Sequence, residues 1–145
     1  MTDVIQDPIY VFVTGWRGAS TDFHYRVVYD ALHNVAPGDP HRCTLVHGDY
    51  KGVDHLAAKI ASEALNWRGV LGIPARWDVL GKRAGPTRNE LLMRFAMMLR
   101  AAGYEVRWLA FPSRESVGTW GCVQMVKDAA GFEVEVHHLD KPGGA

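Results

Sequence analysis

Apolar side chains run along this chain in two alternating rhythms. Short continuous runs cover 9–13 and 43–47, and each is followed by a glycine loop. Runs of that length, rich in β-branched residues, suit strands buried on both faces. Between them the apolar residues fall at helical spacing. Phe23, Val27, Val28, Ala31, Leu32 and Val35 mark a helix within 20–35, with Ser20, Thr21 and Asp22 available to cap it. Val53, Leu56, Ala57, Ile60, Ala61 and Leu65 mark a second.

The rhythm then repeats. A weaker strand is predicted somewhere in 70–77, although Gly72 and Pro74 interrupt it. A helix is predicted to open near Gly85-Pro86-Thr87, where Pro suits a first turn and Thr87 with Glu90 matches a capping box. Its core stripe reads Leu91, Leu92, Phe95, Met98, Leu99 and Ala102. Met93 and Met97 make it apolar on more than one face, which admits a homo-oligomer. A strand at 104–111, a helix at 119–130 and a strand at 132–136 complete the pattern, with a loose tail at 141–145.

Strands alternating with helices of these lengths predict an α/β chain: one Rossmann-like three-layer domain with a mainly parallel five-stranded sheet. Its core spans about 9–136, with short tails at both ends. In open parallel sheets ligands sit at the carboxyl ends of the strands, near the point where strand order reverses. Four polar, glycine-bearing segments fall at such ends: 14–18, 47–54, 78–90 and 111–119.

Composition narrows the chemistry. The 145 residues are 48% hydrophobic and 22% charged, and sixteen basic side chains balance sixteen acidic ones. Zero net charge argues against a protein living on non-specific phosphate-backbone contacts. Cys43 and Cys122 share no metal-binding spacing and read as reduced, buried thiols. No basic leader precedes an apolar segment, and no apolar run nears the roughly 18 residues of a membrane span, so a cytoplasmic protein without membrane attachment is expected.

Each loop offers particular groups. In "VTGWRG", Gly15 and Gly18 permit close backbone approach to a ligand, while Thr14 supplies a hydroxyl, Arg17 a charged fork and Trp16 a ring. Spacing excludes both a G-x-G-x-x-G fingerprint and a Walker A loop, since Gly81-Lys82 lacks the upstream glycine and the following hydroxyl. In "HGDYKGVDH", Asp49 suits a ribose or base hydrogen bond, and Asp54 sits in a first helical turn where a carboxylate also favours the dipole. His47, Asp49 and His55 match no metal pattern. "GKRAGPTRNE" sets Lys82, Arg83 and Arg88 at a helix start, where arginine forks match phosphate oxygens. Asn89 there is a poor interior helix residue, so a plain solvated helix face explains the pair badly. After Pro112, the Gly118-Thr119 start of a helix offers another phosphate seat.

Taken in order, "VTGWRG", "VHGDYKGVD", "AGPTRNE" and "AFPSRESVGT" resemble the DUF2493 family, also called the YspA or YpsA-related SLOG family. It belongs with the LOG proteins and the DNA-processing protein DprA. The resemblance spans about residues 9–136, and the HGD-x-x-G-x-D and AGP-x-RN blocks are its specific parts. It implies a Rossmann-like fold and a nucleotide or nucleotide-derived ligand. Its glycine and aspartate positions match the Gly15 loop, Gly48, Asp49, Gly52 and Asp54, and its helix-start motif matches Gly85, Arg88 and Asn89. Members occur in bacteria and phages, which for a phage-encoded chain implies the host cytoplasm. LOG enzymes cleave the N-glycosidic bond of a nucleoside monophosphate with an arginine and a glutamate. Here Pro112, Gly118 and Thr119 align with that motif, but Cys122 occupies the glutamate position, and a thiol does not replace a carboxylate at an oxocarbenium-like transition state.

The leading expectation is therefore a nucleotide-binding protein needing no cofactor, with a ligand of AMP, ADP-ribose or NAD type. Phosphate is expected on the helix starts after Gly15 and Gly118 beside Arg88, a ribose hydroxyl on Asp49 or Asp54, and the base on Trp16. One alternative is N-glycosidic hydrolysis with Arg88 and Glu90 as catalytic residues, Glu115 being another nearby carboxylate. A second is a single-stranded nucleic-acid-binding module that stacks bases on tryptophans, which the zero net charge disfavours.

Overall fold

The computed structural model describes residues 7–140; the tail expected at 141–145 lies outside them. Five strands, β1 (Ile9–Gly15), β2 (Cys43–His47), β3 (Gly69–Gly72), β4 (Glu105–Phe111) and β5 (Val134–Val136), form one sheet in the order β3-β2-β1-β4-β5. Every pairing is parallel. Helices α1 (Asp22–His33) and α2 (Val53–Lys59, continuing as a π-turn through Ile60–Ala64) follow β1 and β2. The short α3 (Trp77–Leu80), a 3₁₀ turn (Gly81–Arg83) and α4 (Ala84–Ala101) lie between β3 and β4, and α5 (Val117–Ala130) precedes β5. Among the described residues no helix is long and apolar enough to cross a membrane.

The continuous apolar runs are explained by two cores. Val11, Val13, Leu45 and Leu109 point to one face, where Val28, Leu32, Ala57 and Ile60 of α1 and the α2 segment cover them. Phe12, Val46 and Trp108 point to the other, against Leu92, Ala96, Cys122 and Val126 of α4 and α5. Side chains alternate across a strand, so a central strand covered on both faces must be apolar throughout. The second core extends aromatic contact: Phe12 and Trp108 stack with centroids 4.8 Å apart. The first reaches beyond residue 136. Leu139 is buried, and its N–H donates to the Pro112 carbonyl at 2.9 Å.

Three local expectations are corrected. Helix α4 begins at Ala84 with no side-chain cap, so Thr87 and Glu90 lie inside it and form no capping box. Pro86 permits this because an N–H in the first turn has no intrahelical partner to lose. The segment before it is not all loop, since Trp77–Leu80 and Gly81–Arg83 are helical. The buried face of α4 is Leu92, Met93, Ala96 and Leu99, whereas Leu91 and Met98 are 53% and 60% exposed. A helix apolar on several faces offers more than one stripe, and packing against Phe12 and Trp108 selects this one. The cap of α1 is Thr21, whose hydroxyl accepts the His24 N–H, while His24 Nδ1 accepts the Thr21 N–H in return.

Candidate functional site

The chain runs outward from β1 to β2 and β3, then returns to lay β4 on the other side of β1. Strand order reverses between β1 and β4, and an open sheet has its natural crevice at that point. A cavity of about 650 Å³ lies there, within the usual range of small-molecule sites.

Two strand ends and two helix starts build most of it. From β1 come Thr14, Gly15, Trp16 and Arg17; from the loop after β2 come Gly48, Tyr50 and Asp54. The start of α4 gives Gly85, Arg88 and Asn89, and the start of α5 gives Gly118 and Thr119. The first loop is locked to β4 and to the second loop: the Trp16 N–H donates to the Phe111 carbonyl at 3.0 Å, and the Val53 N–H donates to the Trp16 carbonyl at 3.1 Å. Gly52, at φ 84°, makes this approach possible, because a Cβ there would strike the Trp16 and Arg17 backbone.

The centre of the site is a chain of contacts through one residue, Gly48. Asp54, 7% exposed, accepts the N–H groups of Gly48 at 3.1 Å and Tyr50 at 3.3 Å on the same oxygen. The Gly48 carbonyl accepts a hydrogen bond from the Arg88 guanidinium, whose Nε donates to Asn89 Oδ1 at 2.8 Å. Burial pushes the Asp54 carboxyl up to about 6, outweighing the Arg88 charge and the two amides. Beneath it lies Cys122, with the Thr14 hydroxyl beside the thiol; burial raises this thiol to about 11, so it is neither a nucleophile nor a charged ligand group at neutral pH.

At the other end, Ser116 occupies the N-cap of α5 but does not cap it. Its Oγ instead accepts the Ser113 N–H at 2.8 Å. The first-turn N–H groups of this 14-residue helix are therefore left without a capping side chain, at the cavity wall formed by Val117, Gly118 and Thr119.

Several residues singled out from sequence lie outside the cavity lining. His47 is buried behind the loop, with Nδ1 accepting the Asp49 N–H at 2.9 Å, and burial lowers its pKa. Asp49, at φ 51°, turns outward and meets His55 Nε2 at 3.0 Å. Gly18 lies against the Trp16 ring, and Gly52 and Pro112 shape their loops from behind. Lys82 is exposed on the 3₁₀ turn. Glu90, expected as a catalytic carboxylate, is on the outward face of α4 in an ion pair with Arg94 at 2.8 Å, whereas Glu115 lines the cavity. Among the described residues no group of three His, Cys, Asp or Glu is placed to hold a metal ion.

Tyr50 and Trp77 are cavity residues that the sequence reading passed over. Trp77 was absorbed into the tail of a weak strand. The available signal was an indole outside every apolar stripe, just before a basic segment.

The fold and site together define a parallel α/β protein with a ligand-sized cavity at its strand-order reversal. Compared with known proteins, the chain is 34% identical over 139 residues to the Gene 61 protein of Mycobacterium phage D29, across 91% of this chain and 98% of that protein. The chain belongs to the family of this phage protein. No family model matches the sequence, and no solved structure matches it.

Proposed function

We propose that this protein binds a nucleotide or nucleotide derivative in the cavity between β1 and β4. One observation carries the reading: Arg88 and the start of α5, which has no side-chain cap, face the same cavity at the strand-order reversal. The first-turn amides at Gly118 and Thr119 suit phosphate oxygens, with Arg88 and Arg17 as counter-charges. Asp54, between the two ends, suits a ribose hydroxyl. The HGD-x-x-G-x-D and AGP-x-RN blocks contribute Gly48, Asp54, Gly85, Arg88 and Asn89 to the lining, which supports placing this family within the DUF2493 group of SLOG proteins. The phage relative supports the host cytoplasm as its location.

The test is thermal unfolding against AMP, ADP, ADP-ribose, NAD and short single-stranded DNA, with Arg88→Ala alongside. A ligand at about a hundred times its Kd stabilises by roughly 2.7 kcal/mol. A shift with a nucleotide, lost in Arg88→Ala, supports the reading; no shift with any nucleotide rejects it.

A second reading, hydrolysis of an N-glycosidic bond, is favoured by Asp54. This carboxyl lines the cavity beside Arg88 and has its pKa raised into the range useful for proton transfer. Water would add to the anomeric carbon as the bond to the base breaks; its proton would pass to ionised Asp54 and from there to the departing base, giving the sugar phosphate and the neutral base. Release of free base, abolished by Asp54→Asn, would establish turnover; its absence under conditions where the nucleotide binds leaves binding alone.

A further inference from the structure

We infer that the ligand's planar base stacks on Trp77 beside Tyr50, at the β3 side of the cavity, so that the occupant is a base-bearing nucleotide and not a sugar phosphate. The inference rests on the nucleotide reading above and specifies it.

Of the chain's five tryptophans, Trp67 and Trp108 are spent in the two cores. Trp16 lies over Gly18 with its edge to His24 at 5.5 Å, so part of its ring is already occupied by its own loop. Trp120 lies against His138 and does not line the cavity. Trp77 differs from all of these. It lines the cavity, belongs to neither core, and is 47% exposed. Its ring is braced from one side, because a Cβ on Gly85 would come within 3.2 Å of it. The Tyr50 ring stands 5.9 Å away at a tilt of 39°, so the two present one aromatic wall rather than a closed stack. A braced indole with an open face at a cavity is a surface on which a base recovers the apolar contact that water denies it.

Strand order gives the ligand a direction. Trp77 follows β3 and Tyr50 follows β2, while α5 follows β4, on the far side of β1. Adjacent strands lie about 4.8 Å apart, so the end of β2 that leads to Tyr50 and the end of β4 that leads to α5 are separated by about 10 Å. That is a separation which a ribose bridges between base and phosphate, and Asp54 lies between the two ends. A sugar phosphate would engage Arg88 and the start of α5 and leave both rings in water.

The test is calorimetric titration of the full chain with AMP and with ribose 5-phosphate, in the wild type, Trp77→Leu and Trp77→Phe. The wild type should prefer AMP by roughly tenfold to a hundredfold. Trp77→Leu should bring AMP down to the level of ribose 5-phosphate without changing the latter, and Trp77→Phe should keep most of the preference. Equal binding of the two probes by the wild type, or a preference that survives Trp77→Leu, overturns the inference and leaves the nucleotide site standing. A Trp77→Leu loss shared equally by both probes also overturns it, since Trp77 would then only support the wall. Binding of neither probe removes the nucleotide reading and this one with it. If Trp77→Leu does not fold, tryptophan emission decides: AMP should quench the wild type and not Trp77→Phe, and quenching that persists in Trp77→Phe overturns the assignment.

Discussion

Asp54 and Arg88 hold the two backbone polar groups of one residue, Gly48: the carboxylate accepts its N–H at 3.1 Å, and the guanidinium donates to its carbonyl. The acid therefore helps fix the position of the arginine through the backbone, without a direct ion pair between the two side chains. Anything that shifts this loop shifts the charge at the centre of the cavity.

The titration of Asp54 gives the first prediction. Its carboxyl is raised from 3.8 to about 6, mainly by burial. The folded chain holds this proton more tightly than the unfolded chain. The corresponding stability is complete below the unfolded value and is lost as pH rises through about 6, a change on the order of 3 kcal/mol. Asp54→Asn cannot titrate. Measured by urea unfolding, the variant should gain stability relative to wild type by about that amount between about pH 4 and about pH 7. His47, whose lowered pKa acts in the opposite direction, is present in both chains and largely cancels. A difference that stays flat with pH would show that Asp54 is not raised.

Gly48→Ala separates binding from stability. A Cβ at this position would fall inside contact distance of the Arg88 guanidinium, the far end of a flexible side chain. The arginine can swing aside at little cost, so the melting temperature should change by only a few degrees, equivalent to about 1 kcal/mol or less. Nucleotide affinity should fall at least about tenfold, the equivalent of one charge-assisted hydrogen bond. Retained affinity would mean that Arg88 binds nothing from its present position.

The two faces of α4 should respond oppositely. Met93→Ala and Leu92→Ala remove buried contacts to the core around Phe12 and Trp108 and should each cost about 2–5 kcal/mol. Leu91→Lys and Met98→Lys alter exposed positions and should stay within about 0.5 kcal/mol. Chemical denaturation of the four variants decides it. A large loss from either lysine variant, varying with protein concentration, would reveal a self-association surface on that face.

Both thiols should be silent in the folded protein. Cys43 and Cys122 are free and buried, and burial raises each to about 11. A disulfide reagent at about pH 8 should modify them only as fast as the chain unfolds. Rapid reaction of Cys122 alone would show that the cavity floor opens to solvent without global unfolding.

The sheet was readable because burial on both faces leaves a signature no helix of that length shares, as in Val11-Phe12-Val13 and Leu45-Val46. The loop cluster was readable because parallel strands must place all their carboxyl ends together. The start of α4 was readable to within a residue or two, because Pro86 suits a first turn; the helical segments before it, Trp77–Leu80 and Gly81–Arg83, are too short to carry an apolar period. Asp54 looked like a dipole partner or a ribose ligand, and spacing alone cannot show a carboxylate folded back onto amides at Gly48 and Tyr50. Trp77 was obscured because a single aromatic residue has no period.

Pairing of β1 with β4 joins Ile9 to Glu105 and Gly15 to Phe111. The cavity is therefore drawn from residues 13 to 125, and neither half of the chain supplies all of its lining. During synthesis on the ribosome, Gly15 and Asp54 emerge long before the start of α5 that completes their enclosure. A ligand can close on this domain only after α5 has been made, so occupancy would report a completed sheet and protect only molecules in which β4 has paired with β1.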